Sequence, residues 1–205
     1  MKDLRELADK YGSDKGFKHN YTVYYGELFE PFFDKNINIL EIGFGKGASI
    51  KMWLEYFPFA NVYCIDNGDF SNSDIDSKRF VKFSGDQSEK KDLNKFTRMV
   101  GKDTKFDIII DDGSHRSEDG IFTLNHFFKH LNSNGLYVIE DMNCRRKKTL
   151  KFGKEEKSIV DIIKEFFKTS KFRANILSTR SNNMIGNNIS DIKLYNDKIC
   201  FIRKR

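Results

Sequence analysis

Two acidic segments, each at the end of an apolar run, could together hold a cation. Residues 111–115 (Asp-Asp-Gly-Ser-His) follow the run that begins at Phe106, and residues 140–141 (Glu-Asp) follow the run that begins at Tyr137. If the two runs are adjacent parallel strands, their carboxyl ends meet at one edge of the sheet. Converging carboxylates repel one another unless a cation neutralises them, and oxygen ligands favour magnesium, manganese or calcium over zinc. These segments therefore predict a divalent metal site.

His115 is the candidate base beside that metal. A hydroxyl group near neutral pH is a weak nucleophile, but a nearby divalent ion lowers its pKa and a base can then remove its proton. His115 follows Asp112 by three residues, so a turn could bring its imidazole to the acidic edge. Histidine ordinarily titrates near neutral pH, which suits this task. The acidic edge and His115 together indicate chemistry on a hydroxyl group.

A glycine-rich turn follows another apolar run, residues 37–42, and precedes a predicted helix. Gly43, Gly45 and Gly47 would let the backbone turn sharply and approach a ligand closely, while the helix start presents free N–H groups. The spacing differs from the G-x-G-x-x-G pattern of dinucleotide enzymes, and Glu41 precedes it. A carboxylate would repel a pyrophosphate but can accept hydrogen bonds from an ammonium group. The turn therefore favours a ligand with an amino-acid moiety.

Further acids follow the next two predicted strands. Asp66 ends the second strand, where a carboxylate can accept both ribose hydroxyls of an adenosine. Asp86 and Gln87 follow the third strand and are placed to meet the adenine edge. With Glu41, these residues predict a nucleoside that carries an amino acid.

This succession of acids over residues 37–141 resembles the class I S-adenosylmethionine-dependent methyltransferases. Within that class, Asp-Asp-Gly-Ser-His followed by Val-Ile-Glu-Asp looks like the metal-dependent sugar O-methyltransferases of macrolide biosynthesis, the mycinamicin and demethylmacrocin enzymes. The resemblance implies S-adenosylmethionine and a divalent cation, most simply magnesium, as cofactors. By position it implies Asp112, Glu140 and Asp141 as metal ligands and His115 as base, acting on a sugar hydroxyl.

The N-terminal segment adds weaker candidates. Residues 11–16 (Tyr-Gly-Ser-Asp-Lys-Gly), with His19 and Tyr21, resemble short relatives encoded among sugar-modifying enzymes. His19, Tyr21 and Asp111 are therefore counted among the cofactor-binding candidates. Two alternatives to cofactor binding stay open. His19 and Tyr21 could instead be packing residues of the cap, and Asp111 could instead cap or orient its loop. The macrolide enzymes are longer, so their acceptor and assembly are not transferred.

The elements that must position these residues alternate between strands and helices, which is typical of an α/β fold with a parallel sheet. We expect a Rossmann-like methyltransferase fold with a mostly parallel seven-stranded sheet and helices on both faces. The predicted strands are 37–42, 62–65, 80–83, 106–110, 136–139, 175–177 and 199–202, and the predicted helices are 48–57, 93–100, 117–131 and 159–167. Residues 181–188 are predicted to be a loop. A single domain, 1–205, would contain a cap segment, 1–33, and a core, 34–205.

Charge and composition limit the partners. The net charge is +6, and residues 145–157 contain seven basic and two acidic residues. That segment is either a solvated loop or an electrostatic lid over an anionic substrate. Because the basic residues are concentrated there, a nucleic-acid partner is not expected.

The same composition predicts a cytoplasmic protein. Apolar runs stay well short of the ~18 residues that a membrane span needs, and the three cysteines form no C-x-x-C pair. We expect a small-molecule or glycan substrate, no membrane span, and free thiols. A homo-oligomer remains possible.

Two other functions compete with sugar methylation. The acceptor could be a phenol or catechol, because catechol O-methyltransferases place metal-binding acids at the same two strand ends. The chain could also be a cofactor-binding subunit without catalysis, although its intact set of site residues argues against this.

Overall fold

A computed structural model describes residues 2–68, 70, 73–144, 149–151 and 154–205. The strands are Asn38–Ile42 (β1), Asn61–Asp66 (β2), Phe80–Ser84 (β3), Phe106–Asp111 (β4), Leu131–Ile139 (β5), Thr149–Lys151 (β6), Lys154–Glu156 (β7), Ile189–Tyr195 (β8) and Ile199–Lys204 (β9). The α-helices are Leu4–Tyr11 (α1), Thr22–Phe29 (α2), Ala48–Tyr56 (α3), Lys90–Val100 (α4), Ser117–Phe127 (α5), Ile159–Thr169 (α6) and Thr179–Asn187 (α7). Two 3-10 helices are Glu30–Phe32 (η1) and Phe128–His130 (η2).

Seven strands form one sheet in the order β3-β2-β1-β4-β5-β9-β8. The first five are parallel, while β9 runs antiparallel to both β5 and β8. In the central register Ile42 lies beside Asp111, and Asp111 lies beside Ile139. The polar residues that end these strands therefore meet at one edge. The α/β fold class and the mostly parallel seven-stranded sheet are confirmed.

The central strands alternate their side chains between two apolar cores. Ile39, Ile108 and Val138 pack with residues of α1, α2 and α3 on one face. Leu40 and Ile109 pack with residues of α4, α5 and α6 on the other. Because a strand turns successive side chains to opposite faces, the acids at the strand ends are also divided between these two sides.

The N-terminal helices belong to the first of these cores. Asp3 caps α1 through Oδ1, which accepts hydrogen bonds from the backbone N–H groups of Arg5 and Glu6 at 2.6 and 3.3 Å. Gly12 ends the helix with φ of 69°. Helix α1 packs against α3, and the connection from residue 12 to residue 21 leads into α2.

The C-terminal prediction was wrong in three places. Residues 175–177 form a turn and bend, the predicted loop 181–188 lies mostly in α7, and a strand that was not predicted, β8, begins at Ile189. Local polar contacts explain the helix: Ser178 Oγ accepts from Ser181 N at 3.1 Å, and the Asn182 side chain bonds to both backbone groups of Ala174 at 2.9 and 3.0 Å.

The predicted helix 117–131 also ends early. Helix α5 stops at Phe127, a 3-10 turn follows, and Leu131 already pairs with Phe106 as the first residue of β5. The predicted helix was too long because Phe128 and Leu131 continue the apolar spacing of α5. Both are buried in the same core as α5, but they lie in the 3-10 turn and in β5.

Most of the basic segment 145–157 lies outside the described residues or has no described side chain. Residues 145–148 and 152–153 fall outside them, and β6 and β7 pair antiparallel between these gaps. Within the described part of the chain, no helix is both long and apolar enough to cross a membrane.

Gly43 fixes the distance between the glycine turn and the end of β4. Its φ is 103°, and a Cβ there would overlap the Asp112 carbonyl oxygen and lie 2.8 Å from the carbonyl carbon. Any side chain at this position must therefore separate the turn from the strand that carries the acidic edge.

We expect Gly43→Ala to lower the free energy of unfolding by roughly 2–4 kcal/mol, because it adds both overlap and a strained φ. Gly26→Ala is the matched control, since no described atom outside its own helix backbone lies within 4 Å of the added Cβ. That control should be neutral or stabilise by about 0.4–1 kcal/mol. Urea unfolding of both variants measures the difference, and equal stabilities would contradict the close approach.

Candidate active site

A cavity of about 540 Å³ opens at the carboxyl ends of the parallel strands. Its walls come from the glycine turn, the ends of β2 to β5, and residues 12–15 after α1. Eight of the residues expected at the site line it: Gly43, Gly45, Asp66, Asp86, Gln87, Asp112, His115 and Asp141. Six others do not line it: Glu41, Gly47, Asp111, Glu140, His19 and Tyr21.

Glu41 is buried behind the glycine turn. Its Oε2 accepts hydrogen bonds from Ser49 Oγ at 3.0 Å and from Trp53 Nε1 at 2.9 Å. Its Oε1 lies 3.4 Å from Lys15 Nζ. Burial raises the pKa of Glu41, whereas the positive charge of Lys15 lowers it. The carboxylate is thus held by the protein, and Ser49 and Lys15 stand between it and the cavity that they line.

Asp66 faces the cavity and also shapes the glycine turn. Its Oδ2 accepts from Phe44 N at 2.7 Å, and its Oδ1 accepts from Gly68 N at 2.6 Å. Each carboxylate oxygen keeps a second lone pair. Asp66 can therefore accept further hydrogen bonds from a ligand in the cavity.

Only one of the two polar atoms of the Gln87 amide group has a hydrogen-bond partner among the described residues. Its Oε1 accepts from Ser114 N at 2.6 Å, while its Nε2 is buried without a hydrogen-bond partner among the described residues. A Cβ at Gly113 would overlap Oε1, so a side chain there would displace the Gln87 amide group. Asp86 beside it accepts from Ser88 N at 2.7 Å. The pair offers an acceptor and an available donor to a heterocycle in the cavity.

Asp112, His115 and Asp141 are grouped closely enough to bind a metal. One ligand atom from each lies within 4.8 Å of the others. His115 Nε2 is 3.6 Å from Asp141 Oδ2. Both His115 and Asp141 have positive φ, 56° and 50°, so tight turns aim their side chains at the cavity. Two carboxylates and an imidazole at these separations fit a divalent ion.

Glu140 contacts Lys15 and Tyr25. Lys15 Nζ lies 2.7 Å from Glu140 Oε1, and the Tyr25 hydroxyl donates to the same oxygen. Burial and the nearby charge of Asp112 raise the pKa of Glu140, which Lys15 opposes. Glu140 therefore shares the Lys15 ammonium group with Asp112, although it does not belong to the group of Asp112, His115 and Asp141.

Lys15 is a buried cation in contact with acids from three strands. Its Nζ is 2.6 Å from Asp112 Oδ2, as well as near Glu140 and Glu41. Burial alone would lower the pKa of Lys15, but the three carboxylates outweigh it and raise the pKa well above its usual value. The ammonium group stays protonated.

Asp111 lies on the other side of the sheet from Lys15. The Thr123 hydroxyl on α5 donates to Asp111 Oδ2, and Asp111 is fully buried. Its backbone oxygen accepts from Glu140 N at 3.1 Å. These contacts favour the open alternative in which Asp111 orients the loop.

His19 and Tyr21 contact Asp141 without lining the cavity. The Tyr21 hydroxyl donates to Asp141 Oδ1 at 2.7 Å, and burial followed by this hydrogen bond raises the pKa of Tyr21. The His19 ring stacks on the Tyr21 ring with centroids 5.2 Å apart, and His19 Nδ1 lies 3.9 Å from Asp141 Oδ1. Both residues thus position Asp141 from the N-terminal side.

Sequence reasoning did not assign roles to Lys15 and Tyr25. Lys15 lies in the quoted segment 11–16, but nothing local indicates that its side chain crosses to the ends of β1, β4 and β5. Tyr25 follows Tyr21 by four residues, which places both hydroxyls on one side of α2. That spacing was a usable signal.

Comparisons with known proteins agree with the fold and with the acidic motifs. No protein-family model matches the chain. The mycinamicin VI 2''-O-methyltransferase of Micromonospora griseorubida is 36% identical over 148 residues, which is 68% of this chain and 36% of the relative. The demethylmacrocin O-methyltransferase of Streptomyces fradiae is 34% identical over 148 residues, again 68% of this chain and 36% of the relative. The chain thus spans about a third of the length of these curated relatives.

A solved structure extends the similarity to nearly the whole chain. The MycE methyltransferase of mycinamycin biosynthesis, solved with Mg, SAH and mycinamycin VI, superposes with a TM-score of 0.81 and 28% identity. The alignment covers 99% of this chain and 53% of MycE. The resemblance seen in the acidic motifs is confirmed.

Thr123→Val removes the hydroxyl group that donates a hydrogen bond to the buried Asp111 carboxylate. The loss of this donor should lower the free energy of unfolding by about 1–3 kcal/mol. Thr123→Ser keeps the hydroxyl and should cost less. Calorimetric titration with S-adenosylhomocysteine should give the same Kd for both, because Asp111 does not line the cavity. A large loss of affinity in Thr123→Val alone would instead make Asp111 part of the cofactor site.

Proposed function

Since the chain has the class I methyltransferase fold and is a relative of the sugar O-methyltransferases, we propose that it methylates a sugar hydroxyl with S-adenosylmethionine and a divalent cation. The observation that carries the proposal is the group Asp112, His115 and Asp141 at the wall of the cavity that the glycine turn also lines. The cavity would then combine a metal site, a base and a nucleoside pocket in one space.

The cofactor would lie along the glycine turn. Asp66 would accept its ribose hydroxyls, and Asp86 with Gln87 would meet the adenine edge, where Gln87 Nε2 has no described partner. Glu41 is too enclosed for direct contact, so its charge would act on the amino-acid part through Ser49 or through the neighbouring backbone. Gly45, which lines the cavity, would keep the backbone close to the ligand.

The divalent ion would be held first by Asp112 and Asp141, the two expected ligands that line the cavity. Glu140, the third expected ligand, is buried at the Lys15 end of the same cluster and would contribute charge to the site. His115 is close enough to serve as a ligand, but we assign it the role of base. Its variants separate the two roles.

When bound, the cofactor would supply a methyl group on a sulfonium sulfur and the ion would lower the pKa of the acceptor hydroxyl. His115 would take the hydroxyl proton on Nε2, and Asp141 Oδ2 would orient the resulting imidazolium. The acceptor oxygen would form its bond to the methyl carbon as the carbon–sulfur bond breaks. The products are a methyl ether, S-adenosylhomocysteine and a proton on His115.

The acceptor would be a small molecule or glycan that carries a free sugar hydroxyl, such as a glycoside, a nucleotide-linked sugar or a polysaccharide-linked sugar. Residues 145–157 could attract an anionic acceptor, although most of them lie outside the described part of the chain. Cys64, Cys144 and Cys200 are free thiols, which supports a cytoplasmic enzyme. A homo-oligomer is compatible with the proposal.

The proposed function is tested with labelled S-adenosylmethionine, Mg²⁺ and a panel of glycosides, nucleotide sugars and catechols, with mass spectrometry of the products. We expect methyl ethers of sugars only, loss of turnover in EDTA, and recovery on addition of Mg²⁺ or Mn²⁺. Asp112→Asn should lose turnover, whereas Asp74→Asn should not, because Asp74 is an exposed acid paired with Lys51. Turnover that survives EDTA would contradict the metal-assisted mechanism, and catechol products would contradict the acceptor class.

The variant His115→Ala distinguishes a role of His115 as a base from a role as a metal ligand. If His115 is the base, kcat should fall by about 10²–10⁴-fold, while the Kd values for Mn²⁺ and S-adenosylhomocysteine stay unchanged. Added imidazole should restore part of the rate. His126→Ala is the control, because His126 lies on α5 and bonds to Thr97 instead of lining the cavity. Loss of Mn²⁺ binding in His115→Ala would make His115 a ligand.

A further inference from the structure

The acidic cluster already contains a cation before any metal binds. Lys15 is 1% exposed, and its Nζ lies 2.6 Å from Asp112 Oδ2, 2.7 Å from Glu140 Oε1 and 3.4 Å from Glu41 Oε1. The side chains of Glu41 and Glu140 are also nearly inaccessible, at 1% and 2%. Asp112 is the member that reaches the cavity, with 23% of its side chain exposed.

These positions divide the cluster into two parts. In the deep part, Glu41 and Glu140 face Lys15, and Tyr25 adds a hydroxyl donor to Glu140. In the outer part, Asp112 and Asp141 face the cavity beside His115. Asp112 belongs to both, because its Oδ2 bonds to Lys15 while the same carboxylate lines the cavity.

Resting on the function proposed above, we propose that Lys15 is a positioning residue, a built-in cation that neutralises the deep carboxylates and thereby lowers the affinity of the cluster for the exchangeable metal. The folded protein then does not need the metal to balance its buried acids. The metal meets a site that already contains one positive charge, and it binds more weakly than it would to three unpaired carboxylates.

A packing role alone would have different consequences. Lys15 also ties residues 12–21 to the strand ends, so its removal should lower stability under either explanation. Only the charge role predicts that the loss is offset by a divalent ion, since a ligand that binds the folded state stabilises it in proportion to its affinity. Metal-dependent stability is therefore the distinguishing measurement.

The experiment compares Lys15→Met with the wild-type chain, using Mn²⁺ alone as the probe. In EDTA, Lys15→Met should melt at a lower temperature, because three carboxylates lose their partner. Its Kd for Mn²⁺, measured by electron paramagnetic resonance, should fall about tenfold or more through loss of the competing charge. Saturating Mn²⁺ should therefore raise its Tm by more than it raises that of the wild type.

Two further variants test the charge argument. Lys15→Met/Glu140→Gln removes one negative charge with the positive one, so it should regain part of the lost Tm in EDTA and bind Mn²⁺ less tightly than Lys15→Met. Lys18→Met is the matched control, because Lys18 is an exposed lysine of the same segment that pairs only with Asp14 among the described residues. It should leave both Tm and Kd unchanged.

The outcomes separate this inference from the proposed function. An unchanged Kd for Mn²⁺ in Lys15→Met, with equal loss of Tm in EDTA and in Mn²⁺, overturns the inference and leaves the proposed function standing. A wild-type chain that binds no Mn²⁺ contradicts the proposed function. If Lys15→Met folds only in Mn²⁺, the inference is supported; if neither it nor the double variant folds with Mn²⁺ present, the inference is wrong.

Discussion

The burial of several negative charges at one edge of a parallel sheet is the constraint on which the rest of this structure depends. Strands β1, β4 and β5 run in the same direction and side by side, so Glu41, Asp112 and Glu140 must come together where they end. Isolated buried carboxylates are costly, and a paired cation offsets that cost only when its geometry is good. The loop after α1 brings that cation, and α1 itself packs against α2 and α3.

Strand alternation decides what each acid does. Glu41 and Glu140 continue the side of the sheet on which α1, α2 and α3 pack, where Lys15 and Trp53 reach them. Asp111 continues the opposite side and meets α5. In each acidic pair, one carboxylate is therefore used by the scaffold, whereas the next residue turns to the cavity. Adjacent acids that look equivalent in the sequence have different environments.

The parallel sheet, the glycine turn and the cavity-facing acids could be predicted because each depends on a local pattern: an apolar run, a change in backbone freedom, or a polar residue at a strand end. The place of Lys15 could not, because it depends on how a loop returns across the sheet. Strand alternation alone could have predicted that Glu140 and Asp141 have different surroundings. It could not have predicted that Tyr25 is one of the residues that contact Glu140. Helix α7 was missed because its asparagines favour loops unless side chains such as Asn182 cap nearby backbone groups.

Trp53, the one tryptophan of the chain, donates its indole N–H to Glu41 and lies in the core formed with α2. Its fluorescence emission therefore comes from an indole that is hydrogen-bonded to a carboxylate, and that carboxylate also lies next to Lys15. Changes in the field around that carboxylate alter the energy of the excited indole. The protein thus contains an intrinsic chromophore one hydrogen bond away from its buried ionic cluster, and we expect binding in the neighbouring cavity to change its emission.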